Sequence, residues 1–249
     1  SLWNAVLLVC IKNVGFQRYH HDETAYSNLD DLVTALWLHF FKQPLDQVPH
    51  YFHDVAEYLK SWFFNAQWFE VFDFEACLNS GPDAAKDDFS SICNAYFERE
   101  NSAYRFVNGQ LTEITSKEEI DAVEFAIQDN RLNGGARGHL RSALSLMNDK
   151  ENPDFRNSIK ESISSVESVA RQLLNDEKAT LGQALKLLER RGDLHTALKS
   201  AFSSLYGYTN DADGIRHALM DESKLTKADA RFMLVVCSAF TNYLSLIPI

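Results

Sequence analysis

Residues 157–175 read NSIKESISSVESVARQLLN, and the fold class turns on how their apolar side chains are spaced. Ile159, Ile163, Val166, Ala170 and Leu173 recur at i, i+4, i+7, i+11 and i+14. That spacing keeps five side chains on one face of a 3.6-residue helix. A different face carries Glu161, Ser165, Ser168 and Gln172, so the segment predicts an amphipathic helix with a polar side of its own.

Working outward toward the C-terminus, the same periodicity predicts helices over 136–148, 180–191, 194–206 and 226–247. In the last of these Phe232, Val235, Ala239, Tyr243 and Leu246 form the expected inward stripe. Residues 206–221, with Gly207, Gly214 and several Asx-turn residues, read as an irregular polar connection.

Toward the N-terminus the chain is dense in aromatics. Trp3, Trp37, Trp62 and Trp68 all lie there, and helices are expected over 2–13, 24–41, 51–64, 66–79 and 84–99. Pro44, Pro49 and Ser80-Gly81-Pro82 supply the breaks. Around Trp62–Phe74 apolar residues nearly encircle the axis, which predicts burial on several sides. One β signal interrupts the helices. Tyr104–Val107 and Gln110–Ile114 flank Asn108-Gly109, a pair that tolerates the positive φ of a tight hairpin. Ser116 and Glu119 then have capping-box spacing. The junction divides the chain into residues 1–115 and 116–249, with Asn133-Gly134-Gly135 as an alternative boundary. The fold class is all-α: a helical first domain ending in a short β-hairpin, then a four- or five-helix bundle.

The composition, 45% apolar and 24% charged over 249 residues, is that of a globular chain. The formal charge is −11, unevenly shared. Residues 1–115 hold 7 Lys/Arg against 16 Asp/Glu, net −9, and residues 116–249 hold 17 against 19, net −2. A surface near −9 repels phosphate backbones, so the first half is a poor candidate for contacting nucleic acid, while the second half, near −2, has room for a local basic site. Cys10, Cys77, Cys93 and Cys237 form no C-x-x-C pair and read as reduced thiols in a cytoplasmic protein. The chain begins with Ser inside an expected helix, so natural N-terminal residues are expected to be missing. Phe232–Ile249 spans about 27 Å as a helix, short of the roughly 30 Å hydrocarbon core. It also carries Ser238, Thr241, Asn242 and Ser245, so a buried core helix is expected and no membrane partner.

No cofactor or metal motif is complete. His50-x-x-His53 with Asp54 lacks the glutamate of a zinc protease helix. His20-His21-Asp22-Glu23 reads as a polar helix start, and Asp211-x-Asp213-Gly214 lacks the closing glutamate of a calcium loop. Gly134-Gly135-Ala136-Arg137-Gly138 lacks the Lys-Ser/Thr of a phosphate loop. Arginine beside histidine remains: Arg216-His217, Arg190-x4-His195, and the cluster Arg137, His139, Arg141. An imidazole titrating near neutrality can take a ribose 2′-hydroxyl proton while a guanidinium holds the phosphate oxygens, which is RNA cleavage without a metal. The alternative is a helix-start pair bonded to loop carbonyls and to Asp211 or Asp213.

Tyr104–Gly109 (YRFVNG) followed by Ile114-Thr115-Ser116 resembles the end of the N-terminal domain of AbiJ-type abortive-infection proteins, and Leu2-Trp3-Asn4 suits a chain lacking its usual start. Residues 152–167 (NPDFRNSIKESISSVE) resemble the long helix of the attached HEPN domain. So do 179–185 (ATLGQAL), 205–209 (LYGYT), 213–218 (DGIRHA), 237–240 (CSAF) and 242–244 (NYL). The resemblance implies a bundle that commonly homodimerises. It also implies a metal-independent ribonuclease with arginine, a polar residue, three to five further residues and histidine composed across the dimer. His217 fits the histidine slot by position, but residues 206–213 contain no arginine, and Arg216 is adjacent instead. Arg190-x4-His195 has the spacing one helix earlier. The expected site residues are His217 and Arg216 first, His195 and Arg190 second, and Glu161 as an orienting carboxylate. The rival expectation is a non-catalytic binding and dimerisation module, acting as a sensor or as an acidic, antitoxin-like partner.

Overall fold

A computed structural model describes residues 3, 30–67, 70–71, 73–74, 83–211 and 225–247, and they are mostly helical around one short hairpin. They fall into two compact units, Ser1–Glu113 and Ile114–Ile249.

In the first unit α1 (Asp30–Ala35) passes into a π-helical turn, Leu36–Phe40. There Phe41 N–H reaches back five residues to the Leu36 carbonyl at 2.8 Å. The wider turn swings consecutive aromatics inward: buried Trp37 lies 4.9 Å from the Tyr58 ring and 5.2 Å from Phe41. α2 (Phe52–Asn65) contributes Val55, Leu59 and Phe63 to the same core, and α3 (Asp83–Arg99) contributes Phe89, Cys93 and Phe97. Phe64 is 62% exposed, so the expected burial around Trp62–Phe74 does not extend to every side.

The hairpin forms where the turn residues place it. β1 (Arg105–Val107) pairs antiparallel with β2 (Gln110–Thr112), across Asn108 (φ 46°) and Gly109 (φ 76°). Asn94 of α3 docks it: its amide donates to the Phe106 carbonyl at 2.8 Å and its Oδ1 accepts the Phe106 N–H at 2.7 Å. A side-chain amide thus substitutes for a third strand.

The second unit holds α4 (Lys117–Gln128), α5 (Gly134–Asn148), α6 (Phe155–Leu174), α7 (Leu181–Arg191), α8 (Thr196–Asp211) and α9 (Lys227–Ser245). α6 is the central helix, packed by α5, α7, α8 and α9, while α4 packs on α5 and α9. Its apolar face is buried as the periodicity predicts. Part of its polar side is buried too: Ser158, Ser162 and Ser165 are enclosed, while Glu161, Ser168 and Gln172 stay partly exposed. Ser158 Oγ donates to the Ala143 carbonyl at 2.7 Å, and Ser162 and Ser165 satisfy themselves on carbonyls of their own helix. At the far end Asn133 caps α5. Its Oδ1 accepts from Ala136 N–H at 2.7 Å and Ser168 Oγ at 2.9 Å, while its backbone N–H donates to Gln172 Oε1 at 2.9 Å. The serine and glutamine of the predicted polar face therefore tie two helices together.

Three expectations need correction. Ser116 caps α4, but the Glu119 carboxylate reaches across to Arg231 of α9 instead of closing the box. α8 continues through Asp211, so residues 206–211 are helical where an irregular connection was expected. The rotation of α9 is the third. Met233, Leu234, Cys237, Phe240 and Leu244 are buried, whereas Phe232 (55%) and Leu246 (65%) are exposed. The apolar stripe read as inward faces outward.

Met233→Ala is expected to cost about 3 kcal/mol through lost burial and a residual cavity, and Phe232→Ala no more than about 0.5 kcal/mol. Urea unfolding of the dilute variants checks this, and equal costs would reverse the assigned rotation of α9.

Candidate functional site

Arg216 and His217 lie outside the described residues. So do His20, His21, Asp213, Cys10 and Cys77. Of the expected site residues, Arg190, His195 and Glu161 are described.

Arg190 and His195 flank a tight helix-to-helix turn. α7 ends on Gly192 in the left-handed region (φ 81°), with Asp193 N–H returning to the Leu188 carbonyl at 2.9 Å. Arg191 Nε pairs with Asp193 Oδ2 at 2.8 Å, and Lys199 Nζ with Glu189 Oε2 at 2.5 Å. The hydrogen bond from Lys199 holds the Glu189 carboxyl below the usual carboxylate range. Arg190 is exposed beside Glu189 of its own helix. His195 stands just before α8, and its Nδ1 accepts the Ala197 N–H at 3.2 Å. That is the work of an N-cap, and it leaves the ring proton of the neutral form on Nε2. The spacing is present, yet His195 is given a local task at the start of α8, while Arg190 is exposed beside Glu189.

Glu161 has a partner that sequence reasoning did not assign. Its Oε2 lies 2.7 Å from His139 Nδ1, joining α6 to α5, with side-chain exposures of 25% and 36%. Both residues stood in the sequence reading, one on the polar helix face and one in the basic cluster, but 22 residues separate them and no local spacing announces the pair. The other members of the cluster go elsewhere. Arg137 Nη1 donates to Asn130 Oδ1 at 2.9 Å and Arg141 Nη2 to the Ile127 carbonyl at 3.2 Å. Six residues beyond Glu161 on the same helix, Glu167 accepts the Tyr206 hydroxyl at 2.9 Å.

The remaining features are structural. An apolar crevice between α6, α7, α8 and α9 is lined by Ile163, Val166, Leu181, Phe202, Met233 and Phe240. Cys237 also lines it, with its thiol pushed up to about 12 by burial, so it is not a thiolate nucleophile. α2 begins at Phe52, so His50 precedes the helix, and His53 Nε2 turns to Asp54 at 2.9 Å. Among the described residues no three His, Cys, Asp or Glu converge as a metal site, and no helix is long and apolar enough to cross a membrane.

A capping role for His195 has a direct check. His195→Ala is expected to lower stability by about 1 kcal/mol, while His195→Asp, a good cap, retains it. Thermal denaturation of the two variants decides this, and identical melting curves for all three proteins would remove the cap.

Residues 1–129 match the family AbiJ N-terminal domain 4, so the match runs past the first compact unit and takes in α4. No curated protein and no solved structure matches the chain. With just over half of its residues matched, and with the helices and closing hairpin described above, the chain belongs to the AbiJ N-terminal domain family, whose setting is abortive infection, a phage-defence response.

Proposed function

We propose that the protein is a cytoplasmic abortive-infection effector whose second half is a HEPN-like bundle that acts on RNA by proton transfer without a metal. The observation that carries this reading is the family match over residues 1–129, joined in one chain to a helical unit whose strings resemble HEPN domains. Arg216 holds phosphate oxygens as charge builds on them, and His217 serves the leaving side of the reaction by giving a proton to the departing 5′-oxygen. The acidic first unit, net −9 by sequence, repels RNA and serves as the docking side for a protein trigger.

The assignment is tested by incubating the purified chain with total RNA in excess chelator, beside Arg216→Ala and His217→Ala. Cleavage is expected from the unaltered chain, with at least about a 100-fold loss in either variant. Cleavage untouched by both substitutions rejects these residues, and an inert parent protein favours the second reading.

That second reading is a non-catalytic dimerisation module. It is favoured by the outward stripe of α9, where Phe232, Ala239 and Leu246 are exposed and Tyr243 is 37% exposed. Tyr243 is fixed by a 2.9 Å hydrogen bond from its hydroxyl to the Asp193 carbonyl. A rigid apolar ridge along one helix can meet its own copy about a two-fold axis. The ridge predicts that light scattering finds a dimer for the unaltered chain and a monomer for Phe232→Glu/Leu246→Glu. A dimer unchanged by the double substitution places the interface elsewhere.

A further inference from the structure

We infer that His139 and Glu161 form a general-base pair in the second unit, with His139 Nε2 taking the proton of a ribose 2′-hydroxyl and Glu161 positioning the ring. This inference rests on the RNA-acting reading above and deepens it.

Four observations carry it. The 2.7 Å contact between Glu161 Oε2 and His139 Nδ1 sets the ring's orientation. With the Nδ1 proton directed to the carboxylate, the lone pair lies on Nε2, the arrangement of a base held by an orienting acid. Secondly, the pair is reachable, with side-chain exposures of 36% and 25%. Beside it along the chain, a Cβ built at Gly138 meets nothing within 4 Å.

Thirdly, the charge is right for a polyanion. α5 contains two arginines and no carboxylate. Residues 129–161, with both ends of the pair included, hold six Lys/Arg against five Asp/Glu in a chain whose net charge is −11, so this stretch repels phosphate far less than the chain as a whole. Fourthly, the pair is preorganised. It lies between two ties across the α5–α6 seam: Asn133 with Ser168 and Gln172 on one side, Ser158 with the Ala143 carbonyl on the other. A base carried by two rigid helices holds its aim better than one on a loop.

The step is balanced without an added reactant. His139 Nε2 takes the 2′-hydroxyl proton, and the 2′-oxygen forms a bond to the adjacent phosphorus. The phosphorus–5′-oxygen bond breaks, the departing oxygen takes a proton from the general acid of the reading above or from water, and the imidazolium returns its proton to solvent. A 2′,3′-cyclic phosphate and a 5′-hydroxyl end result.

The test compares the full chain with His139→Ala and Glu161→Gln on a single-stranded RNA oligonucleotide in chelator, with and without free imidazole. Thermal melts accompany each variant. His139→Ala is expected to lose about 10²–10⁴-fold in cleavage rate and to recover part of it with imidazole. Glu161→Gln is expected to lose about 10–100-fold and to gain nothing from imidazole. Cleavage retained by His139→Ala, or lost without relief by imidazole, makes the pair a structural tie and overturns the inference while leaving RNA cleavage standing. An unaltered chain that leaves the oligonucleotide intact overturns both readings together.

Discussion

The second unit depends on how closely α5 approaches α6. Along that seam the residues are small or self-satisfied: Ser158, Ser162 and Ser165 are fully buried with their hydroxyls on carbonyls. A Cβ at Gly135 would come within 3.1 Å of Ser168 Oγ. Larger side chains would push the helices apart, and Asn133, Ser168 and Gln172 would lose their shared hydrogen bonds. A polar seam of this kind contributes little net stability per bond, about 0.5–1.5 kcal/mol, but an unmatched partner left buried costs about 1–3 kcal/mol. The register of the two helices is therefore strongly specified, and with it the meeting of His139 and Glu161.

The other side of the bundle is set by charge and amide contacts rather than by apolar burial alone. α9 carries two apolar stripes of helical period, Met233/Cys237/Phe240/Leu244 and Phe232/Val235/Ala239/Tyr243/Leu246. Either is compatible with a buried helix face. Arg231 on Glu119 and Asn242 on the Ala122 carbonyl, at 2.9 Å, choose the rotation by joining α9 to α4. The unused stripe is then left as an apolar ridge, with Phe232 and Leu246 its most exposed members. The element that α9 holds, α4, is shared between two descriptions: the family match includes it, and compactness assigns it to the second unit.

The candidate chemistry separates in the same way. Arg190 and His195 have a suggestive spacing, but the turn between them is governed by a left-handed Gly192 and by local caps. A histidine that spends Nδ1 on a backbone N–H has one nitrogen left for other work. Glu161 was legible as a carboxylate on a polar face, and His139 as a member of a basic cluster. Their pairing was not, because it requires the crossing of two helices 22 residues apart in the chain.

From the sequence alone came most of what short-range periodicity and turn chemistry control: the helices of the second half in outline, the Asn108-Gly109 hairpin, the all-α class and the acidic bias of the first half. Those features depend on residues within a few positions of one another, where steric and hydrogen-bonding rules act directly. The tertiary structure alone decided which stripe of α9 turns inward, where the Glu119 carboxylate goes, and which imidazole Glu161 orients. Each is a competition among partners distant in sequence, and its outcome is set by packing geometry that no local pattern encodes.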